Sequence, residues 1–299
     1  MKLTRRIATH RNDCECMHGS VADGTGDAMN GASAGYRAAR ETSAWIDRSD
    51  RVRIEFTGDK AADTLNGLLT NDILVLKPGT GCYAAALTAK GKIVADLRVF
   101  ARDGSYLVDT SAAAGSPLLA MLKKYVNPRL AKYRDVTADT CSIGVFGPGA
   151  ASIVAATAGI GEADAIALPL FSHLDGIVAN IAGWVARVPD LGVPGFDIFA
   201  PRDAALTISD RLDSAGAARL AADDADVLRI EAGRPVFGAD MDDSVLAQEA
   251  ALDSIGAISF NKGCYTGQET VARVHFRGHV NRTLRGLRAQ SPIETGSEL

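Results

Sequence analysis

No apolar run in this 299-residue chain approaches the roughly 18 residues that a membrane-spanning helix requires, and mean hydropathy is only +0.05. No transmembrane helix is expected. A surplus of positive charge is also missing: 32 Lys and Arg stand against 36 Asp and Glu, a formal net charge of -4. That balance argues against a globally basic nucleic-acid binder. Cysteines are few, odd in number and mostly far apart (Cys14, Cys16, Cys82, Cys141, Cys264). They form no disulfide framework, so a reducing, cytoplasmic compartment is expected. His10, Cys14, Cys16 and His18 have the composition of a metal cluster but lack the two-residue spacing of common zinc sites, and no metal is assigned to them. What remains is an ordinary globular composition, 47% hydrophobic and 23% charged, enough for one large or two ordinary domains.

Residues 1–35 read as a disordered leader. From Gly19 to Gly35 the chain is small and polar, with neither helical nor strand period. Lys2, Arg5, Arg6 and Arg11 suggest a targeting peptide, but no apolar core follows them, and Asp13, Glu15, Asp23 and Asp27 do not suit a transit peptide. Ordered structure is expected from about Tyr36.

Beyond that point the pattern is mixed. Arg51 to Phe56 alternates strictly and predicts a half-buried strand; Lys60 to Leu69 predicts a helix with Ala61, Leu65, Leu68 and Leu69 on one side. Cys82 to Leu87 and Ile93 to Phe100 predict strands around a Gly91 turn, and Arg102-Asp103-Gly104 turns the second into Ser105 to Asp109. Ser116-Pro117 is the expected start of a helix, with serine as N-cap and Leu118, Leu122 and Val126 on one face. The order recurs with strands at Gly183 to Val188 and Phe196 to Ala200, then a helix from about Pro201 to Leu212. Two hairpin-then-helix units predict an α+β fold of two related halves, with antiparallel sheets and flanking helices. A further helix, Asp224 to Ala232, should stop at Gly233 with Pro235 beyond.

Chemistry concentrates in Asn261-Lys262-Gly263-Cys264-Tyr265-Thr266-Gly267-Gln268-Glu269. Gly263 and Gly267 bracket the cysteine and allow a tight backbone that approaches another surface. Lys262 beside Cys264 would favour a thiolate. Gln268 and Glu269 add an amide and a carboxylate. The alternative is a small core cysteine in a strand-turn. On the predicted strand Ile93 to Phe100, the residues Ile93, Ala95, Leu97 and Val99 make one purely apolar face, so Asp96 lies on the other with Val94, Arg98 and Phe100. A carboxylate there accepts N–H donors from a pterin-like ligand, or forms a solvated Asp–Arg pair. Arg229, on a short helix, offers a fork suited to a ligand carboxylate, or bridges to Glu231 or another neighbour.

The run Lys262 to Glu269 resembles the signature of the YgfZ-type folate-binding proteins, paralogues of the aminomethyltransferase (T-protein) of the glycine cleavage system. Arg229 to Pro235 resembles that family's Arg-x-Glu-x-Gly helix end, and Gly91 to Leu97 its hairpin with a folate-facing aspartate. Tyr36 to Ile73 is similar to the family's opening, so the resemblance covers about residues 36–288. It implies a T-protein-like fold that binds tetrahydrofolate or a derivative through Asp96 and Arg229, together with Gly263, Gly267, Gln268 and Glu269. It also implies Cys264 as the functional cysteine with Lys262 beside it, and a role in iron–sulfur cluster assembly or repair in client enzymes, tRNA-modifying ones included. Aminomethyl transfer is the second implied class, and a ligand-free interaction protein a third. Against aminomethyl transfer, Leu191 to Asp197 lacks the T-protein glutamate that contacts the pterin, and Phe237 stands where tyrosine is usual.

Two expectations concern the end of the chain. From Lys262 to Arg288, six basic residues face one acid, a local +5 that leaves -9 on the rest, and such a patch suits a polyglutamate tail, RNA or an acidic protein. Without an aromatic platform in the sequence, RNA is not the favoured partner. By the resemblance, residues 283–299 read as the opening of a C-terminal β-barrel that the remaining residues are too few to close, leaving 36–282 as the folate-binding domain.

Overall fold

A computed structural model describes residues 33–178 and 180–287. The leader and its His/Cys group, and residues 288–299 of the expected barrel, lie outside the described residues. Ordered structure is already present at Ser33, whose hydroxyl accepts from the Tyr36 amide and caps α1 (Ala34–Glu41).

The elements continue as β1 (Ala44–Asp47), β2 (Val52–Thr57), α2 (Ala61–Leu68), β3 (Gly81–Leu87), β4 (Ile93–Arg102), β5 (Ser105–Thr110), α3 (Ala112–Tyr125), β6 (Lys132–Asp135) and β7 (Thr140–Phe146). The second part holds α4 (Ala150–Ala158), α5 (Glu162–Ala167), β8 (His173–Val178), β9 (Ile181–Arg187), β10 (Gly195–Pro201), α6 (Ala205–Ser214), β11 (Ala218–Arg219), α7 (Ala222–Glu231) and α8 (Gln268–Arg277). The strands form two open sheets, a five-stranded one ordered β3-β4-β5-β2-β6 and a six-stranded one ordered β11-β1-β7-β10-β9-β8. Pairing is antiparallel except between β1 and β11. The expected α+β class with antiparallel sheets is the observed one, and no closed barrel occurs among the described residues. Residues 283–287 form no strand; the Leu284 amide instead donates to the Glu249 carbonyl at 2.8 Å.

Alternation along the strands explains the layering. Ile93, Ala95, Leu97 and Val99 of β4 are fully buried under α2 and α3, with Leu65, Leu118 and Leu122. Cys141, Ile143 and Val145 of β7 and Phe196 and Ile198 of β10 are buried under α4 and α6. The other faces of both sheets meet: Phe100 of β4 packs with Phe146, Ala186 and Phe199 of the larger sheet. Both sheets are therefore covered twice, by helices outside and by each other inside.

One helix start differs from expectation. Helix α3 begins at Ala112, capped by the Ser111 hydroxyl accepting from the Ala114 amide, and Pro117 lies inside it. Ser111 wins because it follows directly on β5, so the chain leaves the sheet already capped; Ser116-Pro117 only imitates a start. The residues after α7 form neither helix nor strand until α8, yet Met241, Val245, Ala247, Ala250, Leu252 and Ala257 are buried in the core of the smaller sheet. Among the described residues, no helix is long and apolar enough to cross a membrane.

Candidate functional site

Asp96 sits on the inner face of β4, at the seam between the sheets. One carboxylate oxygen accepts from the Tyr83 hydroxyl at 2.9 Å, the other from the Phe237 amide at 3.1 Å. Burial raises its pKa, opposed by the charge of Arg51 and by these two donors. Tyr83 reaches it because Ala85 pairs with Asp96 in register, which places Tyr83 on the same face one step along β3. The Tyr83 ring stacks on Phe171, with centroids 6.1 Å apart and planes 8° off parallel. Phe171 holds a left-handed backbone (φ 61), a conformation costly for an aromatic residue and retained at the approach to β8. Sequence reasoning misses Tyr83 and Phe171; Tyr83 shares the Asp96 face because the register shifts between Ala86 and Leu87, which the strand period does not announce.

Of the two alternatives for Asp96, the solvated pair with Arg98 does not form, and neither residue is solvated. Arg98 is spent on a buried network. Its guanidinium donates to both oxygens of Asp109 at 2.9 and 2.7 Å, to Asp197 at 2.6 Å and to Asp190 at 3.1 Å. Arg48 bonds Asp197 and Asp190, and Arg51 bonds Asp109, so three cations meet three carboxylates. Gly144 makes room for this: a Cβ there would lie 2.9 Å from the Arg48 Cδ and 3.1 Å from an Asp197 oxygen. Burial alone would raise Asp109, but Arg51 and Arg98 outweigh it and hold the carboxyl below its ordinary value. Asp190 is held well below the usual carboxylate range against burial, by Arg48 and Arg98.

Arg229 is joined to Asp96 through one short relay. Its Nε donates to Asp226 at 2.6 Å, and an Nη donates to Asp240 at 2.6 Å and to the Arg234 carbonyl at 3.1 Å. The same Asp240 oxygen accepts from the Val236 amide, and the next amide, that of Phe237, is the one that reaches Asp96. The guanidinium thus braces the turn that completes the Asp96 site. Glu231 is not its partner; that carboxylate takes the Tyr36 hydroxyl and Arg40.

The cysteine segment forms a second group, and no hydrogen bond joins it to Asp96 among the described residues. Lys262 turns away from Cys264. Its ammonium donates to the carbonyls of Asn66, Leu69 and Asn71 at 2.6, 2.7 and 2.8 Å, closing the C-terminal end of α2. Burial pulls its pKa down to about 8, with Asp72 and Cys82 acting in the opposite sense. The expectation that Lys262 serves the Cys264 thiolate is replaced by a structural clamp. Cys264 itself is exposed, whereas Cys82 is largely covered and Cys141 buried. Burial pushes the Cys82 thiol up to about 12. Iodoacetamide near neutral pH should therefore label Cys264 before either of those two; peptide mapping that found Cys82 modified first would contradict this order of exposure.

Of the two glycines, only Gly267 is pressed. It holds φ 86 at the start of α8, and a Cβ would lie 2.6 Å from the Thr88 carbonyl oxygen in the β3–β4 turn. A Cβ on Gly263 would meet nothing within 4 Å. Gly267→Ala should cost about 1–3 kcal/mol through left-handed strain and this clash, read as a lower urea midpoint at unchanged slope. Gly263→Ala should leave the midpoint nearly unmoved. Gln268 is half-buried and Glu269 exposed on the first turn of α8. Among the described residues, no group of three or more His, Cys, Asp or Glu is placed to hold a metal ion.

Two face-packed sheets with helices on their outer sides make this a two-sheet α+β protein. The solved glycine cleavage system aminomethyltransferase T from Bartonella henselae has this fold, with a TM-score of 0.72 over 82% of this chain and 66% of that one, at 21% identity. Residues 22–262 match the GCVT N-terminal domain model, and the chain belongs to that family. It is 33% identical over 254 residues to the tRNA-modifying protein YgfZ of Klebsiella pneumoniae, covering 81% of this chain and 71% of the relative. It is 27% identical over 246 residues to an aminomethyltransferase of Alcanivorax borkumensis, covering 82% of this chain. The chain spans 66% of that relative's length, slightly under two thirds.

Proposed function

We propose that this chain binds tetrahydrofolate or a derivative at the seam and supports iron–sulfur cluster assembly or repair in client enzymes, tRNA-modifying ones among them, with 36–282 as the folate-binding unit. The observation that carries the reading is Asp96. Each of its oxygens accepts one hydrogen bond from the protein, which leaves acceptor capacity on both for ring or amine N–H groups of a pterin. The stacked Tyr83 and Phe171 rings beside it supply the aromatic surface that such a ring requires. The acceptor atoms and the aromatic surface match the chemistry of the ligand. Bound there, tetrahydrofolate would supply a one-carbon carrier. Arg229 acts through the Phe237 amide, as a positioning residue, rather than by offering a free fork. Exposed Cys264 is the thiol available to a client or cluster. The name of the Klebsiella relative supports the link to tRNA-modifying clients.

Calorimetric titration with tetrahydrofolate tests the reading. Asp96→Ala should weaken binding about tenfold or more, the worth of one to two hydrogen bonds to a charged acceptor. Arg229→Lys should weaken it less, with the loss appearing together with disorder of the Val236–Phe237 turn in amide exchange. Unchanged affinity in Asp96→Ala would remove the site. A glycine cleavage assay with a lipoyl carrier separates the aminomethyltransferase alternative, for which no turnover is expected, given the missing glutamate between Leu191 and Asp197.

A further inference from the structure

The aromatic platform that the sequence does not display is assembled by the fold. Phe260, from the coil before the cysteine segment, stacks on His275 of α8 with ring centroids 3.7 Å apart and planes 17° off parallel. Phe276 stands edge-on to His275 at 4.7 Å and is 68% exposed, second only to Leu206 in exposure among the large apolar side chains of the described residues. Arg273, Phe276 and Arg277 fall at i, i+3 and i+4, on one exposed face of the helix. Gln248 donates to the Val271 carbonyl at 2.7 Å, and neighbouring Glu249 holds both the Leu284 amide and Arg282. That anchorage ties residues 282–284 to the loop that packs on α8. Among residues 260–285 Glu269 is the one acid, and neighbouring Glu249 is taken by Arg282.

We propose that this surface binds single-stranded nucleic acid, with Phe276 and the Phe260–His275 pair stacking bases and Arg273 and Arg277 contacting phosphates. An acidic protein would be served by the guanidinium groups alone. The exposed ring interleaved with them on one helix face is what a strand with unpaired bases uses, because every base offers a π face. A duplex hides those faces and should bind more weakly.

The test uses the whole chain and fluorescence anisotropy with a labelled 12-nucleotide single-stranded RNA, its DNA counterpart and the corresponding duplex. Both single strands should bind, since stacking does not read the 2′-hydroxyl. Phe276→Ala should weaken them about tenfold, the effect of losing roughly one stacked base. Arg273→Gln with Arg277→Gln should lower the slope of log affinity against log salt by about 1.4, from two lost phosphate contacts. Absence of binding overturns the proposal. So does binding indifferent to Phe276→Ala and displaced equally well by polyglutamate, which would mark a simple basic patch. Self-association abolished by Phe276→Ala in light scattering, with no RNA binding, would assign the face to a second copy of the chain instead. Folate titration of the same variants should be unchanged, so failure here and failure at Asp96 are separable.

Discussion

Arg98→Met is expected to destabilise the protein by about 3–5 kcal/mol, the cost of breaking a buried ion network from one side. Arg98 lies at the seam with Asp109 and Asp197, both fully buried. Removing it leaves three carboxylates facing only Arg48 and Arg51, so one negative charge is uncompensated in a network where Asp109 and Asp197 are shut off from water. Methionine fills most of the volume and answers none of the charge. A double variant, Arg98→Met with Asp197→Asn, restores the balance and should be less destabilised than the sum of the two single changes. Strict additivity in urea unfolding would show that the network is not coupled. The same carboxylates set the acid limit of the fold. Asp109 and Asp190 have folded pKa values below their unfolded ones, so their contribution is complete above the ordinary carboxylate range and lost as pH falls through and below about 4. In Arg98→Met the Asp109 and Asp190 carboxyls lose a cation that holds them down, so part of that acid dependence should disappear.

What the sequence discloses and what it conceals divide along chain separation. Strands β2 to β5 and the Arg102–Gly104 turn are legible because alternation and turn chemistry are local, and the apolar face of β4 is buried as the pattern requires. The opposite face is only partly legible. A solvent-facing Asp96–Arg98 pair stays open as an alternative, because nothing near them announces that Asp190, from the loop before β10, and Asp197, from β10, will arrive about 100 residues later. Strand β7 shows Cys141, Ile143 and Val145 at period two and is open to the same reading as β4. The Asp96 site is half legible on the same terms. The aspartate and its face follow from the strand, while its Phe237 donor is 141 residues away and is held there by the Arg229–Asp240 relay. Lys262 is the clearest case. Adjacent in sequence to Gly263 and Cys264, it reads as their electrostatic neighbour, yet its acceptors lie more than 190 residues back, at the end of α2.

Replacing Lys262 by methionine is accordingly expected to cost about 2–4 kcal/mol, with no dependence on the chemistry of Cys264. Three carbonyls converge on one ammonium, and each buried acceptor left without a donor costs about 1–3 kcal/mol. The total stays below three such penalties because Asn71 is only partly buried and water can reach its carbonyl. Lys262→Gln keeps two N–H donors and should lose less than methionine does. The pH dependence distinguishes the clamp from mere packing. Burial sets the folded pKa near 8, below the unfolded value of 10.5, so between those values the unfolded chain binds more protons than the folded one. Stability contributed by Lys262 therefore rises with pH across that window, and the deficit of Lys262→Met, which cannot titrate, should widen from pH 8 to pH 10. Urea unfolding of the two proteins at pH 7, 8.5 and 10 reads this directly. A deficit that narrows instead would mean that the three carbonyls hold the proton more tightly than burial strips it, and that the lysine stays charged in the folded protein throughout. Iodoacetamide labelling of Cys264 in the same variant should proceed at the wild-type rate, because the ammonium it loses points into the end of α2 and not toward the thiol.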